Sequence, residues 1–152
     1  VKDRVSKTMT PAAYKRKSEQ SLSSARQLLA TGDADGACNR AYYAMFDAAQ
    51  AALLAAKVET AANAAKTHRG LISAFGQHLV LGGHVAAELG SSLNKVERLR
   101  LLADYTGDPV SDEDAAWAVG QADIFVAAIH KMVQNQDQIP LSLKGLRREE
   151  PK

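Results

Sequence analysis

Apolar positions along the chain repeat at the spacing of one helix face almost from end to end. Thr10 followed by Pro11 predicts an N-cap with proline at the first helical position, where its missing N–H costs nothing. From there Tyr14, Ser18, Leu22, Ala25, Leu28 and Leu29 form one stripe, with Lys15, Arg16, Glu19 and Gln20 opposite. Gly32 ends this helix and Asp33 can cap the next. The second helix, "ADGACNRAYYAMFDAAQAALLAAK", is apolar on nearly all sides, the pattern of a buried central helix. After the polar joint "VETAANAAKTHRG", a third helix carries Leu71, Ile72, Phe75, Leu79 and Val80 and stops at Gly82-Gly83. A fourth is expected from about Val85 to Tyr105, with Leu89, Leu93, Val96 and Leu99 inward. Past "TGDPV", Ser111 with Asp114 three residues on predicts the N-cap of a fifth helix reaching about Gln136.

No strand-like alternation persists, so the predicted fold class is all-α: an up-down bundle of four to five helices. Its expected organisation is a basic N-terminal arm at 1–10, a helical bundle at 11–137, and an irregular basic tail at 138–152.

Composition sharpens this only a little. The 152 residues are 46% hydrophobic, 24% charged and 5% aromatic, values that suit one domain of helices packed through alanine. A net charge of +2 does not by itself indicate nucleic acid, but the basic residues gather at the ends: Lys2, Arg4, Lys7, Lys15, Arg16 and Lys17, then Lys144, Arg147, Arg148 and Lys152. They read either as solvated termini or as an electrostatic aid to RNA binding. The single cysteine, Cys38, falls in a buried helical pattern and is expected to be a structural thiol in a reducing, cytoplasmic setting. No apolar run is long enough to span a membrane, and the charged N-terminus is unlike a secretory signal.

The sequence lacks a phosphate-binding glycine loop, zinc-ligand spacing, paired Glu-x-x-His ligands and a nucleophile elbow. Neither metal nor cofactor is expected. His78 and His84 read as surface residues, and His130 as a cation suited to a helix C-terminus.

Three polar clusters stand out within helices expected to be mostly buried. Asn39, Tyr43 and Asp47, spaced by four, share a face of the second helix, with Arg40 beside them. Such a row either lines a cleft or forms a hydrogen-bond ladder between helices. In "KTHRG", Thr67 can cap the third helix and place His68 and Arg69 in its first turn, next to Lys66. That is either an anion-attracting spot with a neutral imidazole or a plain capping turn. In "ERLRLLADYTGD", Arg98 and Arg100 precede Asp104 and Tyr105 by one to two turns, and Arg100 with Asp104 is an i,i+4 pair sufficient for a surface ion pair.

Taken as a set, "NRAYYAMFDAAQ", "KTHRGLISAFGQHLV" and "RLRLLADY" resemble the HEPN family, and more closely its small stand-alone prokaryotic members, over about residues 11 to 135. The resemblance implies a helical bundle that forms a homodimer and binds RNA or nucleotides in a cleft at the two-fold interface. It also implies a toxin or defence role beside a minimal nucleotidyltransferase, and in many members metal-independent RNA cleavage. The family's ribonuclease motif is an arginine, four to six residues, then a histidine, commonly followed two residues later by tyrosine. Arg98 and Tyr105 match it, but the histidine position is Ala103; starting from Arg100 puts Tyr105 at that position. Many relatives of this subtype also carry histidine where this chain has Asp47.

Three readings follow. The first is a catalytically degenerate or atypical binding module, holding RNA or nucleotide through Asn39, Arg40, Tyr43, Asp47, Lys66 and Arg69 and docking a nucleotidyltransferase. The second is an active endoribonuclease toxin using Arg98, Arg100, Asp104 and Tyr105, with His68 as a relocated base. The third is a purely structural interaction module. In related toxins the motif tyrosine accepts AMP from the partner enzyme, so the resemblance makes Tyr105 the candidate acceptor.

Overall fold

The computed structural model describes residues 9–58 and 67–138. Lys66 and the charged residues of the outer arm (Lys2, Arg4, Lys7) and tail (Lys144, Arg147, Arg148, Lys152) lie outside the described residues, so their expected roles have no structural account.

Among the described residues five α-helices follow in order: α1 (Pro11–Ala30), α2 (Ala34–Ala55), α3 (His68–Ala74), α4 (Ala87–Thr106) and α5 (Asp112–Gln138). Among the described residues there is no strand. The caps are those the sequence implies. Thr10 accepts from the Ala13 amide, Asp33 from Gly36, Thr67 from Gly70 and Ser111 from Asp114, each satisfying an amide that the first helical turn leaves unpaired. The α1–α2 turn closes with Gly32 at φ +90 and the Asp33 amide donating back to the Leu28 carbonyl. Glycine takes that left-handed conformation without penalty. Lys57 closes α2 in the same way at φ 56, a conformation that disfavours a side chain.

Helix α2 is the axis of the bundle. Ala37, Ala41, Ala44, Ala48, Ala49, Ala51 and Ala52 are all buried, letting α1, α4 and α5 approach closely on three sides. Its all-round apolar character is therefore satisfied within one chain and does not by itself require a second copy. Tyr42, Met45, Phe75, Phe125, Leu71, Leu79, Leu93 and Ile129 supply the bulk of the core.

Helix α3 continues at Phe75–Val80 in π geometry, with the Leu81 amide donating to the carbonyl of Gly76, five residues back. The wider turn keeps Phe75 and Leu79 both buried while the segment passes from α2 to α4. The α4–α5 connection is tied to α2 by the Val110 amide donating to Asp35 Oδ1 at 2.7 Å.

One expectation needs correcting. His130 does not cap a helix end, because α5 runs on to Gln138. It joins α5 to α1 instead, with Nε2 3.2 Å from the buried Ser18 hydroxyl and Nδ1 3.4 Å from Glu19. His84 is exposed and His78 half-buried. Cys38 is buried, and burial pushes its thiol up to about 11, so it stays protonated at neutral pH as a structural residue. Among the described residues no helix is long and apolar enough to cross a membrane.

Candidate functional site

The α3 start is brought against the middle of α2, where the largest polar cluster forms. The fully buried Tyr42 places its hydroxyl 2.8 Å from His68 Nδ1, and the rings of Tyr42, Tyr43 and Phe46 surround the imidazole with centres 5.0–5.7 Å away. Arg100, reaching in from α4, lies over Tyr42 with its guanidinium carbon 4.8 Å from the ring centre, and 5.8 Å from that of Tyr43. Arg40 meets Tyr43 at 5.5 Å and donates to the Ser21 hydroxyl at 2.6 Å. Two guanidiniums thus share one aromatic ring beside one histidine.

The electrostatics follow from burial. The Tyr42 hydroxyl is held far above its ordinary range, chiefly by burial and then by Glu97, with Arg100 opposing. It keeps its proton, and His68 is its only hydrogen-bond partner among the described residues. Donation by the hydroxyl leaves no buried proton unpaired, and that favours the arrangement in which His68 Nδ1 accepts and the imidazole proton sits on Nε2. His68 itself is pushed below its usual value, first by burial and then by Arg100, against Glu97. The imidazole is neutral at pH 7 and presents a donor. To act as a base through Nε2 it would have to change tautomer, with Nδ1 then donating to the Tyr42 oxygen.

Arg100 is mostly buried, its side chain 12% exposed, and its Nε has no hydrogen-bond partner. Asp104 pairs with it at 3.4 Å but is itself 62% exposed, so the carboxylate only partly offsets the buried cation.

A cleft of about 610 Å³ opens next to this cluster between α1 and α2. Lys17, Gln20, Ser21 and Ser24 form one wall, and Arg40, Tyr43, Phe46 and Asp47 the other. Asp47 is buried yet makes no hydrogen bond or ion pair among the described residues. Burial raises its carboxyl above the ordinary range, while Lys17 and Arg40 pull it down.

The sequence-predicted residues therefore divide. Arg40, Tyr43, His68, Arg100, Asp104 and Asp47 lie at the cluster and its cleft. Asn39 is half-buried but does not line the cleft, and Arg69 is exposed in the first turn of α3. Arg98 lines a second groove, between α4 and α5, with Lys95, Leu99, Leu102, Asp114 and Trp117. Ala103 lines the neighbouring depression with Leu99, Leu102 and Asp114. Arg98 and Ala103, the motif arginine and the residue at its histidine position, thus line separate depressions that share Leu99, Leu102 and Asp114. Tyr105 is 85% exposed at the end of α4.

Sequence reasoning did not single out Tyr42 or the α1 wall. Lys17, Gln20, Ser21 and Ser24 recur at helical spacing, a polar stripe that could have signalled a lined surface.

Comparison with known proteins identifies the family of the chain. The model of the HEPN domain matches residues 12–132. A UPF0332 protein of Gloeobacter violaceus is 40% identical over 112 residues, covering 72% of this chain and 85% of the relative. A protein of Methanocaldococcus jannaschii, named as a candidate toxin, is 34% identical over 76% of this chain and 83% of its own length. A UPF0332 protein of Thermotoga maritima is 31% identical over 80% and 89%, respectively. With the helical bundle and the matched span in agreement, this chain belongs to the HEPN family.

Proposed function

We propose that this protein binds RNA or a nucleotide at the Arg40–Tyr43–His68–Arg100 surface, and that it does not cleave RNA by the family's usual route. The observation that carries this reading is the placement of two guanidiniums on one tyrosine ring beside a histidine, at the mouth of an aromatic and polar cleft. Guanidiniums supply phosphate recognition, and aromatic faces supply sequence-tolerant stacking. Two observations argue against turnover: Ala103 stands at the motif's histidine position, and the Tyr42 hydroxyl occupies Nδ1 of the other nearby imidazole.

The wider role proposed is that of the toxin-like half of a toxin–antitoxin or defence pair, acting with a minimal nucleotidyltransferase. The name of the Methanocaldococcus jannaschii relative supports the toxin side. The high exposure of Tyr105 supports its use as an AMP acceptor, since a transferring enzyme can reach its hydroxyl. A homodimer is also proposed, packed through the α4–α5 face, where Leu102, Trp117 and Ile124 are exposed apolar residues.

The second reading, an active ribonuclease, is favoured by one observation, the contact of His68 with Tyr42 next to Arg100. Fluorescence anisotropy with a short single-stranded RNA in chelator, followed by electrophoresis of the same samples, separates the two. Salt-dependent binding with intact RNA supports the binding module. Shortened RNA that stays intact with His68→Ala supports the enzyme, and absence of binding removes both.

A further inference from the structure

The Asp47 carboxylate stands in the α1–α2 cleft with no protein group bonded to it among the described residues. It is buried on the axis helix, lines the α1–α2 cleft, and has neither hydrogen bond nor ion pair among the described residues. Its oxygens are open to the cleft and not enclosed by protein, so they are free to accept hydrogen bonds from whatever occupies it. We infer that Asp47 reads the base of a bound guanosine phosphate, which makes the α1–α2 cleft a guanine-selective site. This rests on the nucleotide-binding reading above and names its substrate class.

The argument is one of matching donors. An ionised carboxylate only accepts, and it accepts two parallel hydrogen bonds well. Of the four bases, only guanine presents two adjacent donors on its Watson–Crick edge, N1–H and the N2 amine. Adenine and cytosine place an acceptor nitrogen beside their single amine, and uracil flanks its one N–H with carbonyls, so each would set a lone pair against the carboxylate. Around Asp47 the cleft supplies the remaining parts. Tyr43 and Phe46 give aromatic surface for the base, while Lys17 and Arg40 give cations for a phosphate. The Gln20 amide and the Ser21 and Ser24 hydroxyls serve the base carbonyl and the sugar. The volume of about 610 Å³ falls within the range of nucleotide-sized pockets.

The shared chemistry is a guanosine monophosphate unit, free or within a strand, and titration calorimetry distinguishes the two. The probes are GMP, IMP and AMP, then a short oligouridylate with and without one central guanosine. The expected result is GMP binding about tenfold more tightly than AMP, the scale of a bidentate base contact. IMP, which lacks the N2 amine, should fall between them. Asp47→Asn, whose amide replaces one acceptor by a donor, should bring GMP down to the level of AMP. The GMP–IMP comparison uses the unaltered protein and so is independent of how the variant folds. Tight binding of free GMP assigns the site to a nucleotide; a preference seen only in the oligonucleotides assigns it to RNA. Equal affinity for GMP and AMP, with no preference between the strands, would overturn guanine selectivity while leaving nucleotide binding intact. So would a preference that survives Asp47→Asn in a folded variant. Binding of none of the probes would overturn both this inference and the reading beneath it.

Discussion

Tyr42→Phe removes one atom from the centre of the site, and its consequences can be worked out in advance. The lost hydroxyl is fully buried and bonds His68 Nδ1 at 2.8 Å. The ring stays, so the core volume, the edge contact with Tyr43 and most of the Arg100 contact at 4.8 Å survive. His68 is only half-buried, so solvent can satisfy its freed nitrogen. What is lost is close to one ordinary hydrogen bond, about 1 kcal/mol. For a chain of this size that lowers the melting temperature by about 2–4 °C. The more telling effect is on the imidazole. In the unaltered protein, nitrogen-15 NMR should show His68 protonated on Nε2 and unprotonated on Nδ1. In Tyr42→Phe the two tautomers should mix. An Nδ1-protonated His68 in the unaltered protein would refute the donor assignment and, with it, the argument that this histidine cannot serve as a ready base.

Three further outcomes follow from the same geometry. Arg100→Gln removes a mostly buried cation with an unpaired Nε and an exposed partner, so stability should change by no more than about 1 kcal/mol. RNA affinity should nevertheless fall at least tenfold, and the slope of log affinity against log salt should flatten by about 0.7; an unchanged slope would remove Arg100 from the phosphate contacts. Burial raises the Asp47 carboxyl, so the folded state binds that proton more tightly than the unfolded chain does, and stability is lost as pH rises from the ordinary value of 3.8 through the raised one. Asp47→Asn should therefore raise the melting temperature at neutral pH and lose that advantage below the ordinary value, as a melting series across pH would record. His130 is lowered, chiefly by burial, with Glu19 opposing and Lys15 adding. The folded state then binds its proton less tightly, and stability should decline as pH falls below 6.5, a decline that His130→Gln should reduce.

Much of the fold was legible because its signals are local. Thr10, Asp33, Thr67 and Ser111 cap the helices they precede, and Gly32 and Gly107 stand in left-handed conformation where helices end. The unbroken apolarity of α2 correctly marked it as central. The site was legible only in part, because it depends on how helices face one another. Arg98 and Arg100 are two residues apart, so helical geometry sends them to different faces. Nothing local says which face meets α2. The arrival of His68 at Tyr42 joins residues 26 apart in sequence, a packing of α3 on α2 that apolar spacing does not encode. His130 looked like a cap for a similar reason, since its true partners, Ser18 and Glu19, lie more than a hundred residues away in sequence.

The central claim is that a cationic and aromatic surface holds RNA without cutting it. The most direct measurement is incubation of the purified protein with end-labelled single-stranded RNA in chelator, read both on a native gel and on a denaturing gel. The account predicts a shifted complex on the first and full-length RNA on the second, with the shift weakened by Arg40→Gln and by Arg100→Gln. Shorter products that disappear with His68→Ala would contradict it and establish His68 as a working base.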